Sequence, residues 1–139
     1  MEAIPIGKSR QLSEGSDLAI LTIGTMGIPT GRVIKMLQKD EIQVAHFDMR
    51  FVKPLDEEVL HAIFRNYKRI MTVEDGVLQG GFGSAILEFM ADHQYNVQLK
   101  RLGIPDQFID QGSPEELYRE YGLDQQGIYK AAKAFVVQE

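Results

Sequence analysis

A chain of 139 residues without cysteine is long enough to bury a hydrophobic core unaided, and it excludes disulfide staples, thiolate metal sites and a cysteine nucleophile. With 44% hydrophobic and 25% charged residues it reads as an ordinary globular chain, and a net charge of −5 with two short basic pairs, Lys68-Arg69 and Lys100-Arg101, offers no face for nucleic acid. No apolar run approaches the ~20 residues of a membrane span and no charged-then-apolar signal segment opens the chain, so a cytoplasmic location and no membrane partner are expected.

Lys8 to Ser13 is short and polar, which predicts an edge strand running antiparallel to its neighbour. Glu14-Gly15-Ser16-Asp17 then turns the chain into Leu18 to Ile23, a continuous apolar run of strand length that suits a central position. Past Gly24-Thr25-Met26-Gly27, Val33, Ile34 and Leu37 share one face of a helix predicted to end near Lys39-Asp40. A strand over Ile42 to Phe47 leads through Asp48 to Leu55 into a helix whose acidic start, Asp56-Glu57-Glu58, complements its positive end, with Val59, Leu60, Ile63 and Phe64 as its core face. A strand over Ile70 to Val73 breaks into two acids and a glycine-rich loop. Ile86, Phe89 and Met90 then mark a helix, and a further strand runs from Val97 to Leu102. Ser113-Pro114-Glu115-Glu116 combines an N-cap, a proline at the first helical position and a glutamate three residues on. Gly122 is placed to stop that helix, and Ile128, Ala131, Ala132 and Phe135 form the core face of a last one. Apolar strands alternating with helices imply an α/β fold with a mainly parallel sheet covered on both faces, since parallel neighbours need crossovers. No repeat or linker divides the chain, so one domain is expected over residues 1–139.

In open sheets of this type ligands meet the carboxyl ends of the strands, so the loops 24–27, 48–53 and 74–83 are predicted to line one edge. Glycines 80, 81 and 83 suit close approach to a helix N-terminus, where unpaired N–H groups favour a negative partner. Both nucleotide fingerprints fail: from Gly81 the dinucleotide motif needs glycine at 86, which is Ile86, and from Gly76 a P-loop needs lysine at 82, which is Phe82. Two readings stay open, tight packing against a neighbouring domain or subunit and an anion site. Glu74 and Asp75 are adjacent and point to opposite faces of a strand, which disfavours paired-carboxylate catalysis and leaves one of them to cap a loop or bind a partner. Arg50 and Lys53 could contact a phosphate or carboxylate, or pair internally with Asp48. His46, His61 and His93 have no metal-ligand spacing and read as structural or surface residues. Ser84 lacks a nucleophile-elbow frame and reads as a helix N-terminal residue, while Phe82 is either a core anchor or a hydrophobic plug for a partner. The candidate interface or anion-binding set is therefore Glu74, Asp75, Gly76, Gly80, Gly81, Phe82, Gly83 and Ser84, with Arg50 and Lys53, and no catalytic, cofactor-binding or metal-binding residue is identified.

Gly24-Thr25-Met26, DMRFVKPLDEE (48–58), TVEDGVLQGGFGSAILE (72–88), LGIPDQFIDQGS (102–113) and YGLDQQGI (121–128) together closely resemble the C-terminal domain of the 1-deoxy-D-xylulose-5-phosphate synthase family. That domain belongs to a wider transketolase C-terminal group, shared with transketolases and 2-oxo-acid dehydrogenase β subunits. The resemblance implies a three-layer α/β/α sandwich with a five-stranded mixed sheet and one antiparallel edge strand. It also implies a parent enzyme that joins pyruvate to glyceraldehyde 3-phosphate with loss of carbon dioxide, using thiamine diphosphate and magnesium at the entry to the non-mevalonate route to isoprenoids. In the family those cofactors sit on the first two domains, whose G-D-G…N motif is not found here, because Asp75-Gly76 follows Glu74 and Asn96 comes too early. The resemblance thus implies an excised domain, or the separate subunit of a split enzyme, that is inactive alone and binds no cofactor. Its partners would be the preceding catalytic domains and a second copy in a homodimer. The alternatives are a regulatory module holding a small anion at Gly83-Ser84 with Arg50 or Lys53, or the same domain of a transketolase or 2-oxo-acid dehydrogenase β subunit.

Overall fold

A computed structural model describes residues 8–50, 54–77, 81–104, 116 and 119–137. Five strands form one sheet: β1 (Arg10–Ser13), β2 (Leu18–Thr22), β3 (Val44–Asp48), β4 (Arg69–Val77) and β5 (Gln98–Ile104), in the spatial order β1-β3-β2-β4-β5. β1 pairs antiparallel with β3 and every other pair is parallel, so the predicted mixed sheet with an antiparallel edge is present. Among the described residues it is flanked by α1 (Gly27–Lys39), α2 (Glu57–Asn66), α3 (Phe82–Asp92) and α4 (Gln125–Val137), with a 3-10 turn at Gly24–Met26 before α1.

The alternation of side chains along β2 divides the core in two. Leu18 and Ile20 point to one face with Val33, Leu37, Ile128 and Phe135, so α1 and α4 cover that face. Ala19 and Leu21 point to the other with Leu60, Phe64, Ile86 and Phe89, so α2 and α3 cover it. All five residues of β2 are buried, which accounts for its continuous apolar sequence. The outer strands are wetter: Arg10 and Gln11 are exposed on β1, as are Gln98 and Lys100 on β5.

Helix boundaries follow local chemistry. Asp56 caps α2 by accepting from the Val59 amide at 3.2 Å, and its other oxygen accepts from the Ser9 amide and hydroxyl at 2.8 and 3.1 Å, so one carboxylate fixes both a helix start and the approach to β1. Asp124 accepts from the Gly127 amide at 2.9 Å and starts α4. Two predicted boundaries are corrected. β3 begins at Val44 rather than Ile42, because the Ile42 amide is used to close α1, donating to the Leu37 carbonyl at 2.9 Å. β4 does not break at the acids but runs on to Val77, where an irregularity in its pairing with β5 between Val73 and Val77 re-aims the strand. The predicted helix start at Ser113-Pro114-Glu115 lies outside the described residues, although Glu116, Arg119 and Glu120 are helical.

Candidate functional site

The sheet order makes β2 the pivot. From β2 the chain turns to α1 on one face, and from its neighbour β4 it turns to α3 on the other, so the crevice beyond these two strand ends is the switch point where an α/β sheet offers a site. The Thr25 hydroxyl donates across that crevice to Asp75 Oδ2 at 2.6 Å. Gly24, at φ +66, takes the left-handed turn that brings Thr25 there.

One residue before Asp75, Glu74 turns the opposite way and is almost wholly buried, at 3% exposure. Its Oε2 accepts from the Phe82 amide and its Oε1 from the Gly83 amide, each at 2.8 Å. These are the first two N–H groups of α3, so the negative partner of this helix start is the chain's own carboxylate. Burial pushes the Glu74 carboxyl above its usual range and the Asp75 charge adds to this, while the two amides and the Arg101 charge pull it back. Gly83 is where the backbone of α3 comes nearest the sheet: an added Cβ would stand 3.0 Å from both Glu74 Oε1 and Thr72 Oγ1 and 3.1 Å from Arg101 Cδ. Arg101, beside Thr72 on β5, reaches over the helix start and donates to Ser84 Oγ at 3.2 Å.

Of the ten predicted site residues, Glu74, Gly81, Phe82, Gly83 and Ser84 converge on the start of α3, with Gly81 as its N-cap. Glu74 and Asp75 do point to opposite faces. Of the two readings of Phe82 the structure bears out the core anchor and not the plug: at 2% exposure it belongs to the core under α2 and α3, its own amide bonded to Glu74. Gly76 is part of β4, and Gly80 and Lys53 lie outside the described residues. Arg50 is not brought to Glu74, since β2 separates β3 from β4; its amide donates to Asp48 Oδ1 at 3.1 Å, with its backbone at φ +60. The bond between Arg50 and Asp48 therefore runs through the backbone amide rather than the guanidinium of the pairing predicted.

Thr25, Thr72 and Arg101 are the residues of this site that sequence reasoning does not single out. Thr72 and Arg101 become visible only through strand register, which pairs them, while Thr25 lies in the loop 24–27 already predicted to line the strand-end edge. The histidines are structural. His46 is buried with Nε2 2.9 Å from Thr22 Oγ1, and burial holds its ring below the ordinary imidazole range, against the raising effect of Asp48. His61 bonds Tyr95 OH through Nδ1 at 2.5 Å and meets the His93 ring edge-on at 4.6 Å, in an aromatic cluster with Phe64 and Phe89 between α2 and α3. Among the described residues no group of three or more His, Cys, Asp or Glu side chains is arranged to hold a metal ion.

Comparison with known proteins gives consistent results. Residues 7–128 match the family model described as transketolase, C-terminal domain. The chain is 52% identical over 136 residues to 1-deoxy-D-xylulose-5-phosphate synthase of Phocaeicola vulgatus, covering 97% of this chain and 22% of that protein. It is also 52% identical over 132 residues to the synthase of Cytophaga hutchinsonii, covering 95% and 21%. Among solved structures, a split gene transketolase in an inactive beta4 tetramer superposes with a TM-score of 0.86 at 28% identity, covering 96% of this chain and 43% of that one. Transketolase from Campylobacter jejuni superposes with a TM-score of 0.66 at 13% identity over 92% of this chain and 18% of that one, a likeness of fold alone. The chain spans about a fifth of the length of the curated synthases it matches.

Proposed function

The chain belongs to the family of transketolase C-terminal domains, and from that premise we propose that it is the non-catalytic C-terminal domain of a thiamine-diphosphate-dependent 1-deoxy-D-xylulose-5-phosphate synthase. The observation that carries this reading is identity of about one half to such synthases over nearly the whole chain, against 28% to the split gene transketolase. In this proposal residues 1–139 form one domain of a cytoplasmic enzyme that condenses pyruvate with glyceraldehyde 3-phosphate to 1-deoxy-D-xylulose 5-phosphate, an isoprenoid precursor. Among the described residues no helix is long and apolar enough to cross a membrane.

Both Glu74 oxygens face amides and Asp75 Oδ2 is taken by Thr25, so this acidic pair is engaged within the chain. In this reading cofactor and metal belong to the preceding domains, and this domain has an architectural role, packing against those domains and supporting a homodimer. The docking surface is placed at the β2–β4 crevice and the connection from β4 to α3, not at Phe82. That Glu74 already supplies the anion at α3 favours docking over anion sensing at Gly83-Ser84.

Turnover of pyruvate and glyceraldehyde 3-phosphate, with thiamine diphosphate and magnesium, is the test, using this chain alone and mixed with the two preceding domains of a synthase. Activity in the mixture only is the expected result. Activity of the chain alone would overturn the non-catalytic assignment, and preceding domains equally active without it would overturn the supporting role.

A further inference from the structure

On the face covered by α1 and α4, a surface cavity of about 250 Å³ opens between β1 and α1, lined by His46. Gly27 and Gly31, one helical turn apart, form its roof, and Leu12 and Ile34 give it apolar walls. Neither glycine is required by backbone or packing. Both lie in α1 without positive φ; a Cβ at Gly31 would meet nothing within 4 Å, and one at Gly27 would meet Thr22 Oγ1 at 3.7 Å, an ordinary contact. Glycine inside a helix forgoes stability that alanine would provide, so the visible effect of this pair is the open space itself.

The described polar side chains around that space are Ser13, whose hydroxyl donates to the Val44 carbonyl, Lys35, Gln38 and His46. His46 is 2% exposed and engages Thr22 through Nε2, while its Nδ1 has no partner among the described residues and is not sealed from water. Thr22 Oγ1 has no other acceptor among the described residues, so the tautomer assigned here has its hydroxyl donating to Nε2 and the proton of the neutral ring on Nδ1. Lys35 and Gln38 continue the Gly31 face of α1 and add an ammonium and an amide at the rim. Among the described residues no acidic side chain lines the cavity, although the chain has a net charge of −5. The volume holds about eight water molecules at ~30 Å³ each, the size of a small metabolite rather than a nucleotide.

We propose that this cavity is a binding site for a small organic anion, a short branched carboxylate whose charged end meets Lys35 and His46 and whose alkyl end lies against Leu12, Ile34 and the bare backbone of Gly27 and Gly31. The site is tested by nitrogen-edited proton NMR of the full chain titrated with isovalerate, and with isoamyl alcohol as the same skeleton without the charge. Saturable shifts are expected at the Gly27 and Gly31 amides and the His46 ring. Lys35→Gln should weaken binding by about tenfold, the scale of one charge-assisted hydrogen bond. Gly31→Leu should abolish it by filling the space, and Gly31→Ala, one carbon placed in an open volume, should weaken it in a variant that keeps the fold. The proposal is overturned if isovalerate gives no saturable shift at these residues, if isoamyl alcohol binds as well, or if both Gly31 variants bind as the parent chain does.

Discussion

Gly83 occupies a place where one carbon atom decides whether α3 can seat on the sheet. A Cβ there would press on Glu74 Oε1 and Thr72 Oγ1 at 3.0 Å, so it could be seated only if Thr72 shifted or Glu74 moved against the two amides that hold it. Gly83→Ala is expected to lower unfolding free energy by about 1–3 kcal/mol, the scale of core overpacking, and chemical denaturation of the two proteins measures it. A loss within error of zero would mean that α3 can shift outward without disturbing Glu74. The glycine-rich run made a close approach legible in the sequence, and the helix N-terminus made a negative partner legible. What approaches was not: it is Glu74 and Thr72 of the same chain, because β4 continues through the acids instead of ending before them. Phe82, flanked by glycines, gave no sign of its direction, since burial depends on the orientation Glu74 imposes on its amide.

At the scale of elements, α1 and α3 end in the same way. Glu41 at φ 63 and Gln94 at φ 59 take the left-handed position that glycine usually fills. Behind them the Ile42 amide donates to Leu37 at 2.9 Å and the Tyr95 amide to Met90 at 3.0 Å, each reaching back across the last turn. Gln94 is exposed, so Gln94→Gly removes the strain of a left-handed side chain with no lost contact; a gain of about 0.5–1 kcal/mol is expected in thermal or denaturant unfolding. An unchanged or lower stability would show that the left-handed turn at Gln94 carries no strain to relieve. These endings also mark where sequence reading thins out. The turn after Thr22 announced itself through glycine, and Gly24 does adopt positive φ, as does Gly122 before α4. The end of α3 carries no such signal, because glutamine at that position is indistinguishable from any other polar helix residue until the backbone angle is known.

For the whole molecule, the layered order of the sheet sets the order of its opening. β2 is hydrogen-bonded on both sides, to β3 and β4, and separates the two halves of the core, so its amides can be exposed only when both halves come apart. Native-state hydrogen exchange should therefore find Ala19–Thr22 exchanging with the full unfolding free energy and Gln11–Ser13 on β1 well below it. Exchange of β2 through a smaller opening would mean that the two faces separate independently. This layering is the part of the fold most readily read from sequence: an unbroken apolar run for the central strand, helical periodicity for both covers, and a polar first strand for the edge. Register was beyond reach, because nothing in the composition of β5 says that Arg101 will stand beside Thr72 and over Ser84.

The same order leaves β1 and β5 as the sheet's two outer strands, each a row of backbone groups on which a foreign strand could in principle grow. The exposed residues on them, Arg10, Gln11 and Leu12 on one side and Gln98 and Lys100 on the other, place a cation at each border, with one apolar side chain beside the first. Like meets like when two copies approach edge to edge, so these borders disfavour the ribbon-wise stacking that turns a stable sheet into a fibril seed.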